Sequence, residues 1–256
     1  MLAHDDIAER QRKHFEDENI DTTFVIQVPG AQSHRSTVVS VGGERTILVY
    51  HAPRTYDFPK DLAPSKWVYL TSMAKGFESL LPDLAGYIKQ MDAKLAFQPG
   101  TYQLRLGAEK TADILRQTEV ILLNVQEAET YTRQAEGTSI AILCSSLHKL
   151  GPRIVVVTDS TKGSYASDGT TIWHLGTRPE IPRVEATGAG DAFSSAFVVA
   201  LYEGQPIPEA MRWGTMNAES VIQKIGPQAG ILTKTQLRDE LARCPDFVAI
   251  PYLEDK

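Results

Sequence analysis

The sequence is poor in cysteine, in long apolar runs and in positive charge, and each shortage excludes a class of protein. Only two of the 256 residues are cysteines, Cys144 and Cys244, which excludes a disulfide scaffold and favours a reducing, cytoplasmic setting. No run approaches the roughly 18 apolar residues that span a bilayer, and the densest, at 196–202, is too short. The net charge is −6, from 26 basic and 32 acidic residues. Because there is no block of Lys and Arg, the chain would repel a phosphate backbone, which argues against nucleic-acid binding.

The balance of apolar and charged residues is that of an ordinary globular protein. Apolar residues make up 42% and charged residues 23% of the chain, which is too apolar for a chain that stays disordered. The length predicts one large domain, or a domain with a small attachment. The N-terminus has no basic region followed by an apolar core, so it is not a signal peptide. Residues 6–18 carry sparse apolar positions among charges and are predicted to form a surface helix.

The N-terminal part of the chain has the pattern of a small antiparallel unit. Apolar, β-favouring runs lie at 24–26, 38–41 and 47–49, with turn residues between them. Gly42-Gly43 separates the last two runs and predicts a tight hairpin turn. Residues 22–50 are therefore predicted to form a small β unit.

From residue 67 onward, short apolar segments alternate with amphipathic ones, which predicts a parallel sheet covered by helices on both faces. The predicted strands are 67–70, 95–97, 120–123 and 154–157, followed by a hairpin that turns at Asp168-Gly169. The predicted helices are 76–91, 103–117 and 125–149, and 189–245 is predicted to be helical throughout. We therefore predict one α/β domain over residues 1–256, in which residues 22–50 form a lid over a site at the carboxyl ends of the strands.

The most informative stretch is 185–193, where a loop of small residues runs into a helix that is apolar on nearly every side. The first N–H groups of a helix lack internal partners and attract anions, and Gly188 and Gly190 allow the backbone to approach a phosphate closely. Asp191 is then a carboxylate at the edge of an anion hole, able to take a proton from a substrate hydroxyl. Taken alone, the same residues could simply cap a core helix. A dinucleotide site is excluded because no apolar strand precedes the glycines, and the sequence has no P-loop.

Residues 186–193, Ala-Thr-Gly-Ala-Gly-Asp-Ala-Phe, resemble the C-terminal signature of the PfkB, or ribokinase-like, family of carbohydrate and nucleoside kinases. The resemblance implies that Asp191 is the catalytic base and that the amides of Gly188, Ala189 and Gly190 form the anion hole. It also implies a role for Glu185 at an acidic position where the family usually has Asp. In several members this position helps to bind a monovalent cation such as K⁺.

Two further segments resemble motifs of this family in the expected order. Asn124 and Glu127 follow a predicted strand and resemble the Asn-x-x-Glu motif that organises Mg²⁺ and phosphate through water; the same spacing is also a helix capping box, and both roles can coexist. Residues 158–163 resemble the Thr-x-Gly-x-x-Gly-like loop that meets the nucleotide, with Ser160 in place of the usual first glycine, although an ordinary polar turn would have the same composition. The resemblance implies nucleotide contacts at Thr158, Ser160, Lys162, Gly163, Asn217, Gly226 and Gly230.

Some of these implied roles compete with plainer alternatives. Asn217 lies within a predicted helix, where Asn is a mediocre helix former, and a solvent-facing Asn is as good an interpretation as one near the adenine. Gly226 and Gly230 could equally be a helix C-cap and a turn. Gln98 follows a predicted strand at a place bordering the site where the family often has Asn.

The resemblance covers about residues 5–240, and the family's first central strand, with its substrate-binding Asp and its Gly-Gly-x-x-x-Asn-type signature, has no counterpart in this sequence. We therefore expect a chain that is short at its N-terminus and impaired in activity on its own. The resemblance implies a ribokinase-like α/β fold, with a mostly parallel sheet between helices and a small β lid. The function it implies is ATP-dependent phosphorylation of a hydroxyl on a sugar or nucleoside, with ATP and Mg²⁺ as cofactors.

Two alternatives remain open at this point. One is a nucleotide-binding but catalytically impaired protein. The other is a vitamin-precursor kinase of the same superfamily, but the β-rich lid argues against it because the vitamin kinases tend to lack that lid. Tyr50, His51 and Arg54 are candidates to select the substrate. Lid strands pair across dimers in some relatives, so the resemblance allows a homodimer through the lid. No nucleic-acid or membrane partner is expected.

Overall fold

The computed structural model describes residues 2–41, 44–50, 52 and 55–253. The predicted turn at Gly42-Gly43 and the candidate residues His51 and Arg54 lie outside these ranges. The chain divides into two units. The N-terminal unit consists of Met1–Ala63 and Ala74–Leu80, and the main unit consists of Pro64–Met73 and Leu81–Lys256.

The described part of the N-terminal unit contains one α-helix, a short 3₁₀ helix (Phe77–Leu80) and a two-stranded sheet. Helix α1 spans Asp6–Asp17, and strands β1 (Arg35–Val41) and β2 (Glu44–Tyr50) pair antiparallel. The predicted helix and antiparallel pair are confirmed. The β-rich run at 24–26 forms no strand, because the Val25 N–H turns back to the Thr22 carbonyl over 2.9 Å.

Asp5 is the residue that ties α1 to the following segment. Its carboxylate accepts bonds from the Ser33 hydroxyl at 2.6 Å, the Ser33 N–H at 2.9 Å and the Ala8 N–H at 3.0 Å. These donors, led by the Ser33 hydroxyl, stabilise the charged form and lower the pKa of Asp5 from 3.8 to about 2.

This lowered pKa predicts that acid weakens the N-terminal unit. A carboxyl whose folded pKa lies below its unfolded value contributes stability above about pH 4, and that contribution is lost as the pH falls toward 2. Hydrogen exchange at the Ser33 and Ala8 amides, followed from pH 5 to about 2, should show protection falling through this window. Asp5→Asn should flatten the dependence and Asp17→Asn should not. The same acid dependence in Asp5→Asn would contradict the assignment.

The main unit is built on a seven-stranded sheet in the order β3-β4-β5-β6-β7-β8-β9. The strands are β3 (Trp67–Leu70), β4 (Lys94–Phe97), β5 (Thr118–Asn124), β6 (Ile154–Thr158), β7 (Ser164–Ser167), β8 (Ile172–Leu175) and β9 (Ile250–Pro251). Strands β3 to β6 pair in parallel, and β6 to β9 pair antiparallel. The four predicted core strands and the hairpin are confirmed; β9, with two residues, is too short to leave a periodic signal.

Helices cover this sheet, but several predicted helices are divided. The observed helices are α2 (Leu81–Met91), α3 (Thr101–Leu106), α4 (Ala112–Leu115), α5 (Val125–Thr132), α6 (Ile140–Leu150), α7 (Ala189–Tyr202), α8 (Ile207–Val221) and α9 (Lys234–Arg243). The predicted helix at 125–149 was wrong as a single element, because Arg133 takes a left-handed conformation that ends α5. The predicted helix at 103–117 breaks at Gly107, and the region 189–245 forms three helices rather than one. No described helix is both long and apolar enough to cross a membrane.

Helix α7 is buried on most sides, as predicted, and it packs closely against α8. Phe193 and Phe197 lie in one apolar cluster with Met211 and Met216 of α8 and with side chains of the sheet. Gly214 makes this approach possible, since a Cβ there would lie 2.8 Å from the Phe193 ring. This packing holds the first turn of α7 in place.

Candidate active site

The first turn of α7 begins at a glycine that no other residue can replace without strain. Gly188 caps the helix with φ of +82°, in the left-handed region, and a Cβ there would come within 2.7 Å of the Pro227 carbonyl oxygen. Gly190 differs, because a Cβ on it would meet no protein atom within 4 Å. Packing therefore explains Gly188 but not Gly190. The Ala189 N–H already donates a long bond of 3.3 Å to the Ala186 carbonyl, which weakens its predicted part in an anion hole.

Asp191 is the third residue of α7, and its side chain is exposed. One carboxylate oxygen, Oδ1, accepts a 2.8 Å bond from Nε2 of Gln98, the residue that follows β4. Gln98 in turn accepts a bond from the hydroxyl of Tyr69 on β3. The candidate base therefore lies at the carboxyl ends of β3 and β4. The sequence predicts Gln98 at the border of the site but not Tyr69, since a single aromatic residue in a short strand carries no distinguishing signal.

Asn124 and Glu127 form the predicted capping box at the start of α5. The Asn124 side chain accepts from the Glu127 N–H, and the Glu127 carboxylate accepts from the Asn124 N–H, both over 2.9 Å. Desolvation raises the pKa of Glu127; the Asn124 N–H opposes this shift, and the negative charge of Asp191 adds to it. The Glu127 and Asp191 carboxylates therefore lie near enough for their charges to interact.

The donor set at this place fits a divalent cation that keeps much of its water. The Glu127 carboxylate and the Asn124 amide oxygen are hard oxygen ligands, which suit Mg²⁺ when substrate phosphates and water complete its shell. Among the described residues no group of three or more His, Cys, Asp or Glu is arranged to hold a metal ion by protein ligands alone. The two carboxylates also repel each other, and a bound cation would relieve that repulsion.

The loop 158–163 lies beside the capping box, because Thr158 of β6 pairs in register with Asn124 of β5. The loop is a tight turn in which Lys162 forms an ion pair with Asp159 at 3.1 Å. Gly163 has φ of +95°, and a Cβ there would lie 2.0 Å from the Leu175 carbonyl oxygen. Packing therefore requires glycine at this position, and the predicted contact of this loop with the nucleotide stays a prediction.

Ser160 adopts φ of +45°, a left-handed conformation that favours glycine. The sequence had singled out this position as one where the family usually has glycine. Ser160→Gly is therefore expected to stabilise the chain by roughly 0.5–1 kcal/mol, because it removes a left-handed penalty of about 1–2 kcal/mol and adds some backbone entropy to the unfolded state. Chemical denaturation measures this change. A loss of stability in Ser160→Gly would contradict the strained conformation. Ser195→Gly, within helix α7, is the control and should destabilise the chain, because glycine is a poor helix former.

The interpretation of Asn217 as a solvent-facing residue is wrong. It is only 4% exposed, its Nδ2 donates to the Ala192 carbonyl at 2.8 Å, and its Oδ1 accepts from the Leu232 N–H at 2.9 Å. The side chain thus fastens the first turn of α7 to α8 and to the segment before α9. Its observed contacts are to the protein backbone.

Two loops meet beside the first turn of α7. The Glu185 carboxylate accepts a 2.8 Å bond from the Gly226 N–H, and Pro227 packs against Gly188. Gly226 has φ of +97°, and a Cβ on Gly230 would lie 2.4 Å from the Ser220 carbonyl oxygen. Helix α8 is capped by Ile222, so Gly226 and Gly230 are turn residues rather than its C-cap. Asn124, Glu127 and the loop 158–163 lie at the carboxyl ends of β5 and β6, and Glu185 and the stretch 188–191 lie at the start of α7. The observed contacts of Asn217, Gly226 and Gly230 are structural.

The chain belongs to the pfkB family of carbohydrate kinases, because the model of that family matches residues 1–234. It is 29% identical over 227 residues to an uncharacterized sugar kinase of Archaeoglobus fulgidus, covering 85% of this chain and 87% of that protein. It is 27% identical over 197 residues to a cytidine kinase of Thermococcus kodakarensis, covering 70% and 68%. The structure of Arabidopsis thaliana ribokinase complexed with ribose and ATP superposes with a TM-score of 0.80 at 20% identity, covering 94% of this chain and 80% of that one. The predicted ribokinase-like fold is confirmed.

Proposed function

We propose that this kinase transfers the γ-phosphoryl group of ATP to a hydroxyl of a sugar or nucleoside, with Asp191 as the base. The observation that carries the proposal is the position of Asp191: an exposed carboxylate in the first turn of a buried helix, interacting electrostatically with Glu127. The similarity to a sugar kinase and a cytidine kinase supports the acceptor class. The likeness to a ribokinase complexed with ribose and ATP supports the phosphoryl donor.

In this mechanism Asp191 takes the proton of the attacking hydroxyl. The hydroxyl oxygen forms a bond to the γ-phosphorus, and the bond from that phosphorus to the bridging oxygen breaks, so that ADP leaves with the electron pair. The N–H groups of Gly188 and Gly190 at the start of α7 stabilise the charge on the phosphoryl oxygens, and the Ala189 N–H contributes less because it also donates to the Ala186 carbonyl. Such a reaction depends mainly on positioning and electrostatics. When bound, Mg²⁺ held through Asn124 and Glu127 would neutralise phosphate charge.

The loops around α7 are proposed to hold the nucleotide. Thr158, Ser160, Lys162 and Gly163 belong to a turn paired with the capping box, and Lys162 supplies a positive charge there. Asn217, Gly226 and Gly230 are proposed to shape the opposite wall, Asn217 by fastening the backbone rather than by direct contact. Glu185, which holds the Gly226 N–H, is the candidate ligand for K⁺. Retained activity after exchange of K⁺ for a large organic cation would contradict that last role.

Thermal unfolding with Mg-ATP, followed by a panel of sugars and nucleosides, tests this function. A nucleotide present at about 100 times its dissociation constant should stabilise the native state by roughly 2.7 kcal/mol. Acceptor-dependent ADP release would then identify an active kinase. Stabilisation by Mg-ATP without ADP release would instead mark a nucleotide-binding protein without activity, and turnover of only a hydroxymethylpyrimidine or pyridoxal would favour the vitamin-precursor alternative.

We also propose that the sheet of β1 and β2 pairs with a second copy of the chain. Its Val39 and Leu48 side chains are 46% and 60% exposed, and a two-stranded sheet with apolar side chains in water is marginally stable alone. Light scattering should find a dimer that Leu48→Lys converts to a monomer, whereas Val248→Lys, at a position 51% exposed outside the sheet, should not change the mass. A monomeric wild-type chain at micromolar concentration would contradict the pairing.

A further inference from the structure

Tyr69 and Gln98 project from neighbouring strands onto the same face of the sheet. Strands β3 and β4 are parallel, and Tyr69 is paired with Ala96. Because residues two apart in a strand share a face, Gln98 continues on the face of Ala96, which packs in the cluster that contains α7. The two side chains therefore meet where the first turn of α7 begins.

The side-chain amide of Gln98 has an oriented role in this contact. Its Oε1 accepts from the Tyr69 hydroxyl, and its Nε2 donates to Asp191 Oδ1 over 2.8 Å. The two ends of an amide are chemically different, one accepting and one donating. The carboxylate, which can only accept, fixes Nε2 on its side, since a flipped amide would place two oxygens against each other. The Tyr69 hydroxyl then donates to the Oε1 end and holds the amide in this orientation. With Oδ1 engaged, Oδ2 is the oxygen left to meet a substrate hydroxyl.

The phenol is well suited to remain a donor. Desolvation and the negative charge of Asp191 raise the pKa of Tyr69, while the Ser194 hydroxyl interacts with it in the opposite sense. Ser194 lies three residues after Asp191 in α7 and is only 4% exposed. Tyr69 is thus tied to the same helix turn that carries the base.

We propose that Tyr69 and Gln98 are positioning residues that hold the Asp191 carboxylate in the orientation needed for proton transfer. This inference rests on the proposed function of Asp191 as the base. A hydrogen bond to a charged group that orients a reacting atom should appear in turnover rather than in nucleotide affinity. It should also appear without loss of fold, because Tyr69 is 38% exposed and lies at the rim of the sheet.

Steady-state kinetics of four variants test this. Tyr69→Phe and Gln98→Met keep the size of each side chain and remove its hydrogen bonds, and both are expected to lower kcat by about 10- to 100-fold with the KM for Mg-ATP nearly unchanged. Gln98→Glu places a second carboxylate against Asp191 and should lower kcat further. Tyr202→Phe, on the same helix as Asp191 but 53% exposed, is the matched control and should be indistinguishable from wild type.

Asp191→Asn, measured in the same series, separates this inference from the proposed function. Full turnover in Asp191→Asn would overturn both. An inactive Asp191→Asn beside wild-type kcat in Tyr69→Phe and Gln98→Met would overturn the positioning role alone, as would a fall in kcat matched by a fall in the unfolding temperature.

A second readout needs no substrate. In NMR spectra, the Gln98 side-chain amide protons, assigned by their loss in Gln98→Met, should be shifted from the positions of an exposed Gln and should move toward them in Tyr69→Phe. Unchanged Gln98 resonances in Tyr69→Phe would contradict the orienting contact.

Discussion

Asp191→Asn is expected to lower kcat by about 10³-fold while leaving the affinity for Mg-ATP within a few-fold of wild type. A positioned general base contributes about 10²- to 10⁴-fold, and asparagine has nearly the same shape but cannot take the proton. The bond from Gln98 Nε2 can still be accepted by the amide oxygen. The change therefore removes the proton acceptor and leaves the first turn of α7 as it is.

Two measurements check this prediction. Turnover with an acceptor that the wild-type chain phosphorylates gives kcat, and calorimetric titration with Mg-ATP gives the nucleotide affinity. Asp239→Asn makes the same chemical change on an exposed position of α9 and should alter neither quantity. Equal losses of turnover and nucleotide affinity in Asp191→Asn would contradict a role confined to proton transfer.

Gly188→Ala and Gly190→Ala are expected to move stability in opposite directions. At Gly188 a methyl group would meet Pro227 at 2.7 Å in a left-handed backbone, so the substitution should destabilise the chain by roughly 2–4 kcal/mol. At Gly190 a methyl group would meet no protein atom within 4 Å, and alanine is the better helix former by up to about 1 kcal/mol. Gly190→Ala should therefore be at least as stable as wild type.

The activity of Gly190→Ala tests the anion site at the start of α7 more directly than its stability does. If a phosphoryl group lies against this backbone, the added methyl group occupies part of its space, and kcat/KM should fall by about 10- to 100-fold in a protein that unfolds at the same or a higher temperature. Denaturation and kinetics on the same preparation check both statements. Gly86→Ala, in helix α2 with similar open space around it, is the control and should gain stability without loss of activity. Wild-type kcat/KM in Gly190→Ala would contradict an anion site at the start of α7.

Much of the fold could be predicted because its signals are local. The run 120–123 is apolar without interruption, and in the structure Val120 and Ile121 are fully buried in the middle of the parallel strands. The capping box of Asn124 and Glu127 was likewise readable from spacing alone. The break after α5 was not, because it occurs at Arg133, a residue type that does not mark left-handed backbone.

The candidate site could be proposed where one segment carries it and not where distant segments meet. The stretch 185–193 is contiguous, so the sequence alone predicts Asp191 as the candidate base. Tyr69 and Asp191 are far apart in the chain, and their connection through Gln98 exists only because β3 and β4 are neighbours in the sheet. The burial of Asn217 depends in the same way on how α7 and α8 pack.

The most direct test of the account is detection of the product itself. Incubation with Mg-ATP and a panel of sugars and nucleosides, followed by phosphorus NMR and mass spectrometry, should reveal one acceptor that becomes a phosphate ester in equal amount to the ADP formed, and Asp191→Asn should form almost none. A folded chain that forms no ester with any member of the panel, or an Asp191→Asn variant that forms it at the wild-type rate, would contradict phosphoryl transfer through Asp191.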